Sequence, residues 1–200
     1  MNVLAIDTTT DICSISLAVN NKVIDSNEKI IESSHTKYLA KNIDSLMKKN
    51  TFSISNLDYI LLSIGPGSYS GLRVGSSFVK GLSYAIKKQI IPINTFESMI
   101  VNSNLSGSYY VALYSHKNYV FAQEFLDGEA FSEQVCDKIS NLKKIPIYGY
   151  ALNKIENIQY NEEKPSAIKM IEYFNQNFES LTKNQKDIND ISPIYLKKKN

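Results

Sequence analysis

The apolar positions of this chain change their period several times, and each change marks an element. "NVLAI" (2–6) is a short continuous apolar run and reads as a buried strand ending at Asp7. After the polar turn Asp7–Asp11, "ICSISLAV" (12–19) alternates apolar and polar positions. Asn20-Asn21 then gives a hairpin signal before a third antiparallel strand, "KVIDSNEKI" (22–30). From Thr36 to Lys49 the period becomes helical, with Leu39, Ile43, Leu46 and Met47 on one stripe. "LDYILLSI" (57–64) reads as a central strand, and a second helix follows at roughly 70–87, about 27 Å long. "QIIPIN" (89–94) closes the set. The order βββαβαβ predicts a mixed sheet, because parallel strands need crossover helices.

The second half opens in the same way. "YYVALYSHKNYVFAQEF" (109–125) is again strand, tight polar turn and strand; "KIPIYGY" (144–150) adds another strand, and a helical pattern surrounds 165–178. The expected organisation is two lobes with related beginnings, 1–96 and an abbreviated 97–200, joined near 95–107.

Composition narrows the chemistry. Two hundred residues can bury a sizeable core. With 22 basic and 20 acidic residues the net charge is +2, so no global field recruits nucleic acid, and the tyrosines are scattered without an RNA-recognition pattern. Arg73 is the only arginine. The two cysteines, Cys13 and Cys136, form no CxxC pair, which argues against a zinc site or disulfide framework. No basic leader or long apolar segment is evident, so a cytosolic, membrane-free protein is expected.

Four glycines, Gly65, Gly67, Gly71 and Gly75, fall within eleven residues at the junction of strand and helix. The spacing matches neither the dinucleotide GxGxxG nor a Walker loop, which would continue with Lys-Ser or Lys-Thr. Anion binding at the helix N-terminus stays open. Gly71, Gly75 and Val79 share one helix face, a narrow strip suited to close backbone approach. That approach serves either packing on the chain's own sheet, which spacing alone favours, or docking of another helix. The Asp7-Thr8-Thr9-Thr10 turn keeps the aspartate of a nucleotide-binding turn but lacks its glycine. The equivalent second turn, Tyr114-Ser115-His116-Lys117, carries no carboxylate to help hold Mg²⁺. Leu39 stands four residues after His35, so no HxxxH pair exists, and no nucleophile–base spacing supports a hydrolase.

"GPGSYSGLRVG" (65–75) resembles the GPGSFTGLRIG signature of the TsaB (YeaZ) family. "AIDTTTDICSISL" is similar to that family's start, "SSHTKYLAKNIDSLM" to its His-Ser-x-x-Leu helix, and "PIYLK" to its Pro-x-Tyr-Leu-Arg ending. The resemblance covers most of 1–96 and thins beyond it. It implies a two-lobed α/β fold of the actin-like ATPase (ASKHA, ribonuclease-H-like) class with a mixed sheet. It also implies a subunit without catalytic residues, cofactor or metal, working beside the catalytic paralogue TsaD in making N6-threonylcarbamoyladenosine in tRNA. A TsaE-like ATPase would bind that pair, the chain alone would form a homodimer, and tRNA would be met only through the complex. The expected interface lies on the two helices, at His35, Leu39, Ile43, Leu46, Gly71, Leu72, Arg73, Gly75, Val79 and Leu82. The second turn departs from the family's Asp-Ala-Arg-like sequence. The rival expectation is an ATP-dependent small-molecule kinase or ATPase of the same superfamily.

Overall fold

The computed structural model describes residues 1–31, 35–183 and 187–198; Ser33 and Ser34, which figure in the expectations above, lie outside them. The first half follows the anticipated order: β1 (Val3–Asp7), β2 (Ile12–Val19), β3 (Lys22–Ile30), α1 (His35–Lys49), β4 (Tyr59–Ser63), α2 (Tyr69–Ile86) and β5 (Gln89–Ile93). These strands form a mixed sheet in the order β3-β2-β1-β4-β5. β1 runs antiparallel to β2 and parallel to β4, so all five of its residues are buried, which is why its sequence is a continuous apolar run. β3 lies at the edge and is mostly exposed, matching its charged sequence.

A short helix, α3 (Thr95–Met99), leads into the second sheet, with Asn94 accepting the Phe96 and Glu97 N–H groups as its cap. β6 (Ser108–His116), β7 (Tyr119–Leu126), β8 (Glu129–Ala130), β9 (Val135–Lys138), β10 (Ile147–Tyr150) and β11 (Asn161–Glu162) follow. Their order is β11-β10-β6-β7-β8, with β9 also on β7. The two sheets and the strand-turn-strand opening of each give the mixed α/β, two-lobed actin-like fold.

The C-terminal residues depart from the expected division at 96/97. α4 (Ala167–Gln176) and α5 (Phe178–Lys183) belong to the second half of the sequence, yet α4 returns to the first sheet. α1 and α2 cover one face of that sheet, packing Leu39, Ile43, Leu46 and Val79 against Leu4, Ile6, Ile15 and Leu17. The opposite face holds Val3, Ala5, Ala18, Leu61 and Ile91, and it is covered by Met170, Ile171 and Phe174 of α4. The reason is the alternation along β1, whose two faces are both apolar and must both be buried. Ser166 fixes the start of α4. Its hydroxyl donates to Glu28 at 2.5 Å and accepts from the Ile168 N–H, while the Ala167 N–H donates to Ser14 Oγ at 2.8 Å. Burial pushes the Glu28 carboxyl up, but bonds from Ser166, Ser14 and Lys164 outweigh it and hold it below the usual range. The last described segment, 187–198, crosses from the first sheet to the second. Its Ile194 N–H donates to the Ile64 carbonyl at 2.7 Å, and Lys198 bridges to Cys136 on β9.

Candidate functional site

The turn after β1, compared with a nucleotide-binding turn in the sequence, is packed against the chain's own helix α2. A Cβ on Gly71 would overlap the Thr8 carbonyl oxygen, and one on Gly75 would overlap the Thr8 hydroxyl. Only glycine lets α2 come this close. The Thr8 hydroxyl donates to the Gly71 carbonyl at 2.8 Å, and the Ser68 N–H donates to the Thr9 carbonyl at 2.6 Å. Thr8 and Thr9 are each 1% exposed. The glycines therefore bring two backbones together, and both belong to this chain.

Asp7 sits behind that contact, fully enclosed. Its Oδ1 accepts from the Thr9 N–H at 2.8 Å and the Thr9 hydroxyl at 2.7 Å, while its Oδ2 has no partner among the described residues. Burial pushes its carboxyl above the usual range, against the downward pull of the Thr9 bonds. The same enclosure, with Asp7 nearby, raises the Cys13 thiol to about 11. His35, half-buried at the start of α1, donates from Nε2 to the Thr10 carbonyl at 2.9 Å. It ties helix to turn. Among the described residues, no three His, Cys, Asp or Glu side chains stand together as a metal site.

The structure turns most of the residues expected at the interface on α1 and α2 inward. Leu39, Ile43, Leu46, Leu72 and Val79 are core residues, Gly71 and Gly75 are sealed under Thr8, and Leu82 is half-buried against the core. Of the expected residues only Arg73 stands in the open. The outward face of α2 is instead Tyr69, Ser70, Arg73, Ser77, Gly81 and Tyr84, with Tyr84 83% exposed. A helical period of 3.6 residues places this face opposite Gly75 and Val79, so it was available to sequence reasoning. Gly81 is its telling member. It lies inside the helix, yet a Cβ there would meet nothing within 4 Å. Interior glycine costs a helix roughly 1 kcal/mol, and no intrachain contact explains it. Beside this face, α1, Phe52, Ile54 and Phe78 line an open, largely apolar groove of about 630 Å³.

The second turn contrasts with the first. Lys117 takes a left-handed φ of 50°, and His116 stacks on Tyr119 with ring centroids 5.0 Å apart. Burial, then Lys198 and Lys117, keep His116 below its ordinary pKa.

The comparisons accord with this geometry. Residues 22–191 match the family model described as TsaD: tRNA N6-adenosine threonylcarbamoyltransferase. The tRNA threonylcarbamoyladenosine biosynthesis protein TsaB of Haemophilus influenzae is 25% identical, over 98% of this chain and 94% of its own. The tRNA N6-adenosine threonylcarbamoyltransferase of Borreliella burgdorferi is 30% identical over 76% of this chain, which spans only 45% of that enzyme. YeaZ from Pseudomonas aeruginosa shares the fold, with a TM-score of 0.76 at 16% identity over 98% of this chain and 99% of that one. With the signature "GPGSYSGLRVG" built into the seal over Thr8, the chain belongs to the TsaD family, in its TsaB (YeaZ) branch.

Proposed function

We propose that this protein is a non-catalytic subunit of the cytoplasmic machinery that makes N6-threonylcarbamoyladenosine in tRNA, docking to a TsaD-like catalytic paralogue. One observation carries the reading. The backbone of α2 is packed directly on Thr8 of the turn after β1, while its opposite face is left open at Gly81. The TsaB and TsaD names of its relatives support the same role. In this proposal the partner's helix approaches along Ser77, Gly81 and Tyr84, using the groove toward α1. The same face makes a homodimer when the paralogue is absent, and a TsaE-like ATPase joins the assembled pair. An interface of ordinary size there would bury ~800 Å² per partner.

Light scattering on the chain alone and with the TsaD of the same organism tests this. Gly81→Leu is the discriminating variant, because its side chain enters open space and leaves the core untouched. The expected result is a dimer, replaced by a one-to-one complex on adding TsaD, with both lost in Gly81→Leu. A wild-type chain that stays monomeric and ignores TsaD overturns the proposal.

A further inference from the structure

Residues far apart in sequence form two clusters of rings and cations, joined by the C-terminal tail into one stripe. The Arg73 guanidinium lies 5.4 Å from the ring centroid of Tyr69, and Tyr69 lies 4.9 Å from Tyr195. Three residues of tail, at most about 10 Å of chain, carry the stripe on to Lys198. The Lys198 ammonium sits 4.9 Å from the centroid of Tyr119, whose ring stacks on His116 at an interplanar angle of 1°. Tyr69 is 60% and Tyr195 47% exposed, so neither is buried by the chain's own packing.

The cations on the stripe have no carboxylate partner among the described residues. Among the described residues, neither Arg73 nor Lys198 pairs with a carboxylate, and nor do the neighbouring Lys117 and Lys197. Lys154 beside Tyr114 makes the contrast, since its ammonium is 3.3 Å from Asp11. The Asp137 carboxylate on β9 is engaged by the Lys138 N–H and the Asn141 amide. Two exposed rings, Tyr69 and Tyr195, and two half-exposed ones, His116 and Tyr119, interleaved with cations suit a partner that offers flat π-faces and negative charge at short intervals. A single-stranded nucleic acid has both, stacking bases on the rings and setting phosphates against the cations. A duplex hides its base faces and does not.

We propose that this stripe is a contact site for a single-stranded segment of RNA. The proposal rests on the functional reading above, in which the assembly handles a tRNA whose loops expose unpaired bases. It gives the chain a direct hold on RNA, where sequence alone placed RNA contact only in the complex. The stripe takes up Tyr69 and Arg73 at the N-terminal end of the outward face of α2, whereas the docking proposed above runs along Ser77, Gly81 and Tyr84.

Fluorescence anisotropy tests it, with the full chain titrated into a short labelled single-stranded oligoribonucleotide of mixed sequence and into a duplex of equal length. The single strand is expected to bind at low salt and weaken as salt rises, with the duplex at least several-fold weaker. Tyr195→Ala and Tyr119→Ala should each lower affinity by at least about fivefold, the weak end of one stacked base. Lys198→Ala should reduce the salt slope by roughly 0.7, one single-strand phosphate contact. Tyr195 and Lys198 lie on an exposed tail, so their variants stay folded; Tyr119 is half-buried on β7, and a melting curve on each variant verifies folding before its affinity is read. No binding at low salt, equal binding of the duplex, or affinity unchanged in all three variants would overturn the stripe. Light scattering with TsaD on the same variants separates the two proposals. Assembly retained with RNA affinity reduced supports the stripe, whereas both lost together in Lys198→Ala reassigns these residues to docking. A wild type that binds RNA but ignores TsaD sinks the subunit reading alone.

Discussion

The two faces of α2 use glycine for opposite ends. On the inner face Gly71 and Gly75 sit against Thr8, and a side chain at either would strike atoms of the turn. On the outer face Gly81 has nothing against it. The inner glycines are explained by the folded chain; the outer one is not. Close approach accounts for the inner glycines, and among the described residues no such contact accounts for Gly81.

Substitutions can break that contrast, beginning with the most damaging. Gly71→Ala should destabilise the chain by about 3 kcal/mol, the upper range for overpacking against unyielding backbone, read as a lower urea midpoint with unchanged slope. Thr8→Val keeps the volume but removes the hydroxyl bond to the Gly71 carbonyl. Its expected cost is about 1–2 kcal/mol by the same measurement. Gly81→Ala should go the other way, stabilising the isolated chain by up to about 1 kcal/mol. A loss of stability there would mean that Gly81 has an intrachain role.

The last prediction concerns pH and shows as a slope. The Asp7 carboxyl is raised in the folded chain, so its contribution is complete below the ordinary value of 3.8. It is lost as pH climbs from there through the folded value, because the unfolded chain ionises first. Subtracting the stability of Asp7→Asn from that of the wild type should therefore give a difference that falls from acid toward neutral pH. A flat difference would place Asp7 in contact with water and reopen the turn to a phosphate. Adding ATP with Mg²⁺ completes that test. A stabilisation of about 2.7 kcal/mol at a hundred times the dissociation constant would restore the kinase reading.

Much of the fold was legible because local pattern and tertiary role coincide. β2 and β3 follow 12–19 and 22–30 as read, since alternation and the Asn20-Asn21 turn determine them. The glycine signature likewise announced a close approach. Its partner was not legible, because nothing local to Thr8 says that α2 will land on it. The destination of α4 was equally hidden. Its apolar stripe fits any sheet, and only the two-sided burial of β1 decides which one. The scattered tyrosines looked uninformative because Tyr69 meets Tyr195, and Tyr119 meets Lys198, only when the tail crosses between the sheets.

The return of α4 also sets the order in which the protein can be finished on a ribosome. All strands of the first sheet have been made by Ile93, but the helix that shields Val3, Ala5, Leu61 and Ile91 begins at Ala167. At ordinary elongation rates that is a delay of roughly 4–15 s. Throughout it the nascent sheet presents a bare apolar face, open to chaperones and to other nascent chains.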